Sequence, residues 1–141
     1  MPRSPAITIG GEAVARGERR VIQLPVAALY NSGAPLRLPV HVLAGRRPGP
    51  VLFVSAAIHG DELNGVEIIR RLLRQRALSR LRGTLIAIPI VNVFGIVQHS
   101  RYLPDRRDLN RSFPGSHSGS LAARLAALFL EEIVAQATHG I

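Results

Sequence analysis

His59-Gly-Asp-Glu62 is the segment of this sequence with the clearest capacity for chemistry. A histidine and a glutamate three positions apart supply an imidazole and a carboxylate, two of the three protein ligands that a catalytic zinc ion uses. Gly60 permits a tight turn, and Asp61 is placed to cap a helix or to accept a hydrogen bond from His59. The alternative is a helix-capping segment with an incidental histidine, and this short pattern alone does not decide between them.

A second polar segment, from Arg101 to Gly115, holds four arginines and two aspartates. Guanidinium groups bind carboxylates and stabilise oxyanions, and an amide side chain adds directional hydrogen bonds. We expect a solvated turn in which the aspartates form ion pairs with the central arginines, Asp105 and Asp108 with Arg106 and Arg107. The residues then available to a substrate are Arg101, Asn110 and Arg111.

A strand, a helix and a second strand are predicted to position both segments. Residues 51–58 and 84–90 are uncharged runs typical of strands buried on both faces of a parallel sheet. Residues 63–78 between them have an apolar stripe at helical spacing, with Glu67 one turn from Arg70 and Arg71. Ligands of open α/β sheets bind beyond the carboxyl ends of the strands. Both polar segments follow such ends.

The flanking sequence completes an α/β fold. Residues 1–50 form a β-rich lead-in with a turn at 30–35, and Pro25 and Pro39 favour edge positions or bulges. Residues 51–141 form the βαβ core, with a long active-site loop over 92–119 and a final helix over 121–138. We predict a mixed, largely parallel sheet flanked by helices and incomplete in this chain.

Composition excludes several classes of protein. The sequence has 141 residues, 47% hydrophobic and 19% charged, which is typical of one globular domain and not of a disordered or collagen-like chain. It has no Cys, which excludes disulfides and thiolate metal sites. We find neither an apolar run of about 18 residues nor a signal-peptide core. We therefore expect a cytoplasmic protein with no membrane partner, and an oligomer is compatible with the sequence.

The net charge of +9 comes from 18 basic residues, all Arg, against 9 acidic ones. A cationic chain attracts phosphate backbones, and the Arg-rich segment 70–82 is where a nucleic-acid-binding module would make contact. However, complete replacement of Lys by Arg is more typical of codon bias, and the four Phe and two Tyr are too scattered for base stacking. We expect no nucleic-acid partner.

Both polar segments together resemble the succinylglutamate desuccinylase/aspartoacylase family of zinc carboxypeptidase-like hydrolases. The resemblance rests on His59-Gly-Asp-Glu-Leu-Asn-Gly65, Asn92, Arg101 and Asp108-Leu-Asn-Arg-Ser-Phe-Pro-Gly115, and spans residues 40–141. It implies a zinc-dependent hydrolase that removes the acyl group from an N-acyl amino acid or a similar small carboxylate substrate. By motif, it makes His59 and Glu62 zinc ligands. It also makes Arg101 the group that polarises the carbonyl, while Asn110 and Arg111 hold the substrate carboxylate.

The same resemblance places a third zinc-ligating His, in an Asp-Leu-His context, on a strand after the last helix. A catalytic Glu and a small β-rich domain follow in the family. We cannot place these in residues 1–141, so we interpret the chain as the N-terminal part of a longer enzyme with little turnover or zinc binding by itself. The remaining polar candidates are interpreted as structural or surface residues: His41, His99, His117, His139, Glu131 and Glu132.

The acyl group and the amino acid are not predicted by these residues. A metallocarboxypeptidase acting on peptides is the other hydrolase compatible with the same zinc and arginine chemistry. A non-catalytic scaffold also remains open.

Overall fold

The computed structural model describes residues 5–27 and 36–141. The turn predicted at 30–35 lies outside these ranges. The strands are β1 (Pro5–Ile9), β2 (Glu12–Ala15), β3 (Arg19–Ala27), β4 (Leu36–Ala44), β5 (Arg47–Ser55), β6 (Arg82–Ile88) and β7 (His139–Gly140). The helices are α1 (Asn64–Leu73), α2 (Gly95–Gln98) and α3 (Leu121–Glu132), with 3-10 turns at Arg76–Arg80, Leu109–Arg111 and Val134–Gln136.

The main sheet is mixed, with strand order β3-β4-β6-β5-β7. The pairs β3–β4 and β4–β6 are antiparallel, whereas β5 pairs in parallel with both β6 and β7. The α/β class with a mixed sheet is therefore confirmed, with the parallel pairing confined to one half. Strands β1 and β2 form a separate hairpin. The parallel half provides the carboxyl edge from which both polar segments leave.

The hydrophobic core lies between this sheet and α3. Alternate residues of β4, Leu38, Val40 and Val42, are fully buried, as expected for a strand with one face on the core. On α3, Leu125 and Phe129 are buried against it. Ser120 caps α3, because its side chain accepts the Ala123 N–H at 3.2 Å.

Three predicted element boundaries are wrong. The last helix ends at Glu132 and not near residue 138, because Thr138 and Ile141 donate their N–H groups to the free edge of β5 at Val51 and Phe53. The β-branched residues Ile133, Val134 and Thr138 also favour the helix less than the Ala-rich run before them does. Helix α1 ends at Leu73 and passes into a 3-10 turn. Strand β5 begins at Arg47 and not at residue 51, with a register shift between Arg47 and Val51 where the sequence holds Pro48, Gly49 and Pro50.

The prediction that residues 51–58 are buried on both faces is also wrong. Residues Val51–Ser55 are half-buried, because β7 pairs only with Leu52 and Phe53. Strand β6, which has full-length neighbours on both sides, is buried from Gly83 onward. Pro25 fits its prediction, since β3 is an edge strand with a register shift there. Pro39 lies in an inner strand, but beyond the part of β4 that pairs with β6.

The predicted loop at 92–119 is firmly attached to the rest of the fold. Leu103 and Leu109 are buried in the core, and Phe113 packs edge-on against Phe129 with ring centroids 6.2 Å apart. The carboxylate of Asp105 accepts the Ala122 N–H at 2.9 Å, which joins the loop to the start of α3. None of the helices in the described ranges is long and apolar enough to cross a membrane.

Candidate active site

Two strand-end segments form the floor of the candidate site. The segment that follows β5 and the segment that follows β6 are hydrogen-bonded to each other through their backbones. The N–H groups of Val91 and Asn92 donate to the carbonyls of Ala56 and Ala57. Gly60 then donates its N–H to the Ser100 carbonyl at 2.9 Å. His59 therefore leaves the sheet beside the loop that follows β6, and its side chain is buried to 6% exposure.

His59 contacts a carboxylate at each ring nitrogen. Its Nδ1 lies 2.9 Å from Glu62 Oε1, and its Nε2 lies 2.9 Å from Asp108 Oδ1. Glu62 reaches Nδ1 because a turn brings its N–H to the His59 carbonyl, whereas Asp108 comes from 49 residues further along the chain. The two carboxylates thus lie on opposite sides of the imidazole ring.

Electrostatics favour a cation at this position. Burial lowers the pKa of His59, but the hydrogen bonds to Glu62 and Asp108 outweigh it and raise the pKa above its ordinary value. When Nε2 donates its proton to Asp108, the Nδ1 lone pair faces the Glu62 oxygen. Both atoms are then hydrogen-bond acceptors, and at a separation of 2.9 Å they require a proton or a metal ion between or beside them. An imidazole and a carboxylate are ligands that zinc accepts, so this donor pair fits such an ion.

Asp108 joins His59 to Arg101. Its Oδ2 accepts from Arg101 Nε at 3.2 Å and lies 3.1 Å from Nη2, while Nη1 lies 3.9 Å from Glu62 Oε1. Burial raises the pKa of Asp108, but the hydrogen bonds from His59 and the Asn110 N–H outweigh it and hold that pKa below its usual value. Arg101 is thereby held along one edge, and its Nη1 is directed toward the Glu62 side of the site.

Asp108 takes the place predicted for Asp61. The side chain of Asp61 is exposed, makes no hydrogen bond with any described residue, and does not cap α1. The expected pairing of Asp108 with the central arginines is also wrong, since its partners are His59 and Arg101. Sequence reasoning missed this role, although Asp108 belongs to the second polar segment and follows the strand next to His59.

Asn110 and Arg111 are exposed at the surface of the same loop. The 3-10 turn that carries them is anchored by Leu109, which is fully buried, and by the Asp108 side chain, which accepts the Asn110 N–H at 2.9 Å. Neither side chain hydrogen-bonds to His59 or Glu62. They lie directly after the residue that contacts His59, in a position open to a ligand.

The other histidines form no hydrogen bond or ion pair with His59, Glu62 or Asp108. His41 is on β4, where burial lowers its pKa, and His139 is on β7 beside Thr138. His117 pairs with Glu131 at an exposed position, and His99 ends α2. Within residues 5–27 and 36–141, no three His, Cys, Asp or Glu side chains are arranged to hold a metal ion. His59 and Glu62 form a pair of candidate ligands, because Asp108 faces the other ring nitrogen.

Close backbone packing supports the turn after His59. A Cβ added to Gly60 would lie 2.2 Å from the Gly95 carbonyl carbon, so only glycine fits there. Next to it, Asn92 is fully buried and its side chain accepts the Gly95 N–H at 2.8 Å. The floor of the site is thus built from two backbone segments in direct contact.

The Gly60→Ala variant is expected to unfold more easily, because its methyl group would push these two segments apart. Overpacking of this kind lowers the free energy of unfolding by about 1–3 kcal/mol. Urea denaturation of the variant and the parent chain measures the difference. An unchanged midpoint and slope would contradict the close contact between Gly60 and Gly95.

Comparisons with known proteins all match members of one enzyme family. Residues 48–140 match the family model described as the succinylglutamate desuccinylase/aspartoacylase catalytic domain. The chain is 28% identical over 134 residues to the N-alpha-acetyl-L-2,4-diaminobutyric acid deacetylase of Halomonas elongata, a match that covers 94% of this chain and 38% of the relative. It is 36% identical over 98 residues to the succinylglutamate desuccinylase of Pseudomonas aeruginosa, covering 64% of this chain and 28% of that enzyme.

A solved structure extends the similarity to the fold. The product-bound ectoine utilization protein EutE (DoeB) from Ruegeria pomeroyi superimposes with a TM-score of 0.78 at 28% identity, over 99% of this chain and 42% of that one. The present chain therefore spans well under half the length of the relatives it matches.

Proposed function

This chain belongs to the succinylglutamate desuccinylase/aspartoacylase family, and we propose that it contributes residues to the active site of a zinc-dependent hydrolase. The reaction would remove the acyl group from an N-acyl amino acid or a related small carboxylate substrate. The observation that carries the proposal is the His59–Glu62 pair, with Nδ1 and Oε1 2.9 Å apart beside Arg101. The names of the Halomonas and Pseudomonas relatives support the reaction class.

His59 and Glu62 would hold the zinc ion. When bound, such an ion supplies Lewis-acid chemistry, making a water molecule more acidic and polarising the amide carbonyl. Asp108 keeps the imidazole in one orientation by accepting from Nε2, which leaves Nδ1 for the metal. Its negative charge also makes the imidazole a better donor of electrons to a cation.

Arg101 would stabilise the charge that grows on the carbonyl oxygen. Asp108 holds Nε and Nη2, so Nη1 is the donor directed into the site. A donor fixed in advance toward an oxyanion lowers the barrier more than one that must reorient. Asn110 and Arg111, exposed on the adjoining 3-10 turn, would hold the free carboxylate of the substrate through paired hydrogen bonds.

We place the third zinc ligand and the general base in sequence that the longer relatives carry beyond the matched part. Strand β7 pairs in parallel with β5, and the Ile141 carbonyl accepts the Ser55 N–H at 2.9 Å. A strand continued in this direction would lead to the edge where His59 lies. Zinc hydrolases use three protein ligands, so two alone would bind the ion weakly.

Hydrolysis assays at the protein's full natural length test the proposed function. N-acetyl, N-succinyl and N-formyl amino acids would be compared with short peptides, each with added zinc and after chelation. We expect release of the free amino acid from one N-acyl substrate, loss of turnover on chelation, and recovery with zinc. Faster cleavage of peptides would identify a metallocarboxypeptidase instead, and turnover unaffected by chelation would contradict zinc dependence.

The Asp108→Ala variant is expected to bind zinc about 10–100-fold more weakly, because loss of an orienting partner typically has this effect. The matched control is Asp61→Ala, which removes an exposed neighbouring carboxylate that forms no hydrogen bond or ion pair with His59 or Arg101. Competition with a chromogenic chelator measures both affinities without relying on activity. Equal losses in the two variants would mean that only the total negative charge matters, and would contradict a positioning role for Asp108.

A further inference from the structure

A second concentration of charge lies at the opposite end of the parallel strands. Arg47 begins β5 and Arg82 begins β6, and their Cα atoms are direct partners in the parallel register. Like charges placed opposite each other on neighbouring strands destabilise a sheet. The register thus places two positive charges at neighbouring strand starts, and an anion bound between the two guanidinium groups would reduce their mutual repulsion.

Arginines surround a cavity at this edge. The cavity has a volume of about 310 Å³, and four of its six lining residues are Arg46, Arg47, Arg80 and Arg82. A neighbouring cavity of about 190 Å³ shares Arg46 with the first and adds Arg19. We call these five residues, Arg19, Arg46, Arg47, Arg80 and Arg82, the amino-edge cluster.

Glycines bring the backbone segments of this edge into contact. A Cβ on Gly45 would lie 2.2 Å from the Leu81 carbonyl oxygen, and one on Gly83 would lie 2.0 Å from the Pro50 carbonyl oxygen. Gly83 also has a φ of +81°, which favours glycine. The close approach gathers side chains from the start of β3, the β4–β5 turn and the start of β6 around one small space.

The amino-edge cluster has no acidic partner among the residues that the structure describes. All five side chains are exposed, and none forms an ion pair in the described ranges. The neighbouring acid in sequence, Glu18, binds the Arg20 guanidinium and the Ala15 N–H. By contrast, Arg70 and Arg71 on α1 are both paired with Glu67. The first part of the Arg-rich segment 70–82 is thus neutralised in part by Glu67, whereas Arg80 and Arg82 of the same segment belong to the unpaired amino-edge cluster.

We propose that the amino-edge cluster binds an oligophosphate chain, either free or carried by a small molecule. Guanidinium groups match phosphate oxygens in pairs of hydrogen bonds, and two adjoining cavities suit a ligand with more than one phosphate. No aromatic side chain lines either cavity, so base stacking gives no reason to favour single-stranded nucleic acid. The site is independent of the proposed hydrolase function, because it lies at the other end of β5 and β6.

Titration of the protein at its full natural length with inorganic tripolyphosphate tests this site. Binding would be followed by calorimetry and by amide chemical shifts at an ionic strength of about 0.15 M, where weak surface attraction is screened. We expect saturable one-to-one binding, with shifts at Gly45, Ser79 and Gly83 and none at Gly60 and Ser100. Shifts centred on Gly60 and Ser100 would assign the anion to the candidate active site and overturn the proposal.

Substitutions distinguish binding at the amino-edge cluster from nonspecific attraction to the protein's net positive charge. Arg47→Ser/Arg82→Ser should weaken tripolyphosphate binding by at least about tenfold, since each charged hydrogen-bond partner contributes strongly. Arg46→Ser is a second variant, which leaves the first residues of β5 and β6 unchanged. It should also lower the affinity for tripolyphosphate. The control Arg124→Ser, at an exposed position on α3, should leave affinity within about twofold.

Two results would overturn the proposal. One is an equal loss of affinity in the cluster variants and in Arg124→Ser, which would mean a response to net charge. The other is tighter binding of a single-stranded RNA of about 12 nucleotides than of tripolyphosphate at the same amides, which would indicate a nucleic-acid surface. Without ligand, Arg47→Ser/Arg82→Ser should melt no lower than the parent chain, because it removes a repulsive cross-strand pair.

Discussion

The His59→Ala variant is expected to lose zinc binding and, at the protein's full natural length, hydrolase activity. The imidazole is the buried one of the two candidate ligands, and its removal leaves Glu62 and Asp108 without the group that lies between them. The loss in zinc affinity should exceed about 100-fold, the upper range for residues that only orient a ligand. Equilibrium dialysis and metal analysis of the purified variant measure it.

His117→Ala is the matched control for this experiment. His117 also contacts a carboxylate, that of Glu131, but its side chain is 74% exposed and it forms no hydrogen bond or ion pair with Glu62, Arg101 or Asp108. We expect its zinc content and turnover to equal those of the parent protein. Full zinc content in His59→Ala would mean that the metal is held elsewhere.

The Arg101→Ala variant should retain zinc but lose about 10²–10³-fold in kcat, which corresponds to the roughly 2.7–4 kcal/mol measured for one oxyanion donor. The reason is geometric: Asp108 holds Nε and Nη2, and Nη1 is the part of the side chain left to meet developing charge. Because this charge appears mainly in the transition state, kcat should fall more than KM rises. Steady-state kinetics on the best N-acyl substrate test this.

Two further variants sharpen the test of Arg101. Arg101→Lys keeps a positive charge but cannot satisfy Asp108 along one edge and still present a fixed donor, so it should recover little of the lost kcat. Arg106→Ala removes an exposed arginine of the same loop and should leave kcat unchanged within about twofold. A rise in KM without a fall in kcat for Arg101→Ala would assign this residue to ground-state binding instead.

Local spacing allowed much of the candidate site to be predicted. His59 and Glu62 are separated by a single turn, so their proximity follows from residues that are neighbours in sequence. The position of the turn at the end of a strand followed from an uncharged run that precedes it. The family resemblance, now shown by the match over residues 48–140, supplied the roles that spacing alone left open.

The role of Asp108 could not be predicted in the same way. Its contact with His59 joins positions 49 residues apart and depends on the path of the whole loop, which is set by buried Leu103 and Leu109. A local ion pair with Arg106 or Arg107 is the default for such a sequence. The buried imidazole and Arg101 satisfy the same carboxylate more fully, so tertiary contacts decide its partners.

The boundaries that were wrong have a similar cause. The segment after Glu132 was predicted to continue the Ala-rich helix that precedes it, yet the edge of β5 offers carbonyl groups to which an extended strand can donate. The exposure of β5 likewise depends on how much of its edge another strand covers. Such long-range pairing is not encoded in local periodicity.

Anomalous diffraction at the zinc absorption edge, on crystals of the protein at its full natural length grown with zinc, tests most directly whether His59 and Glu62 share one ion. We expect a single strong peak about 2.0–2.2 Å from His59 Nδ1 and from a Glu62 carboxylate oxygen. Asp108 should remain at Nε2, as it is here at 2.9 Å. A peak bound through Nε2 in place of Asp108, or no peak beside His59, would contradict the proposed metal site.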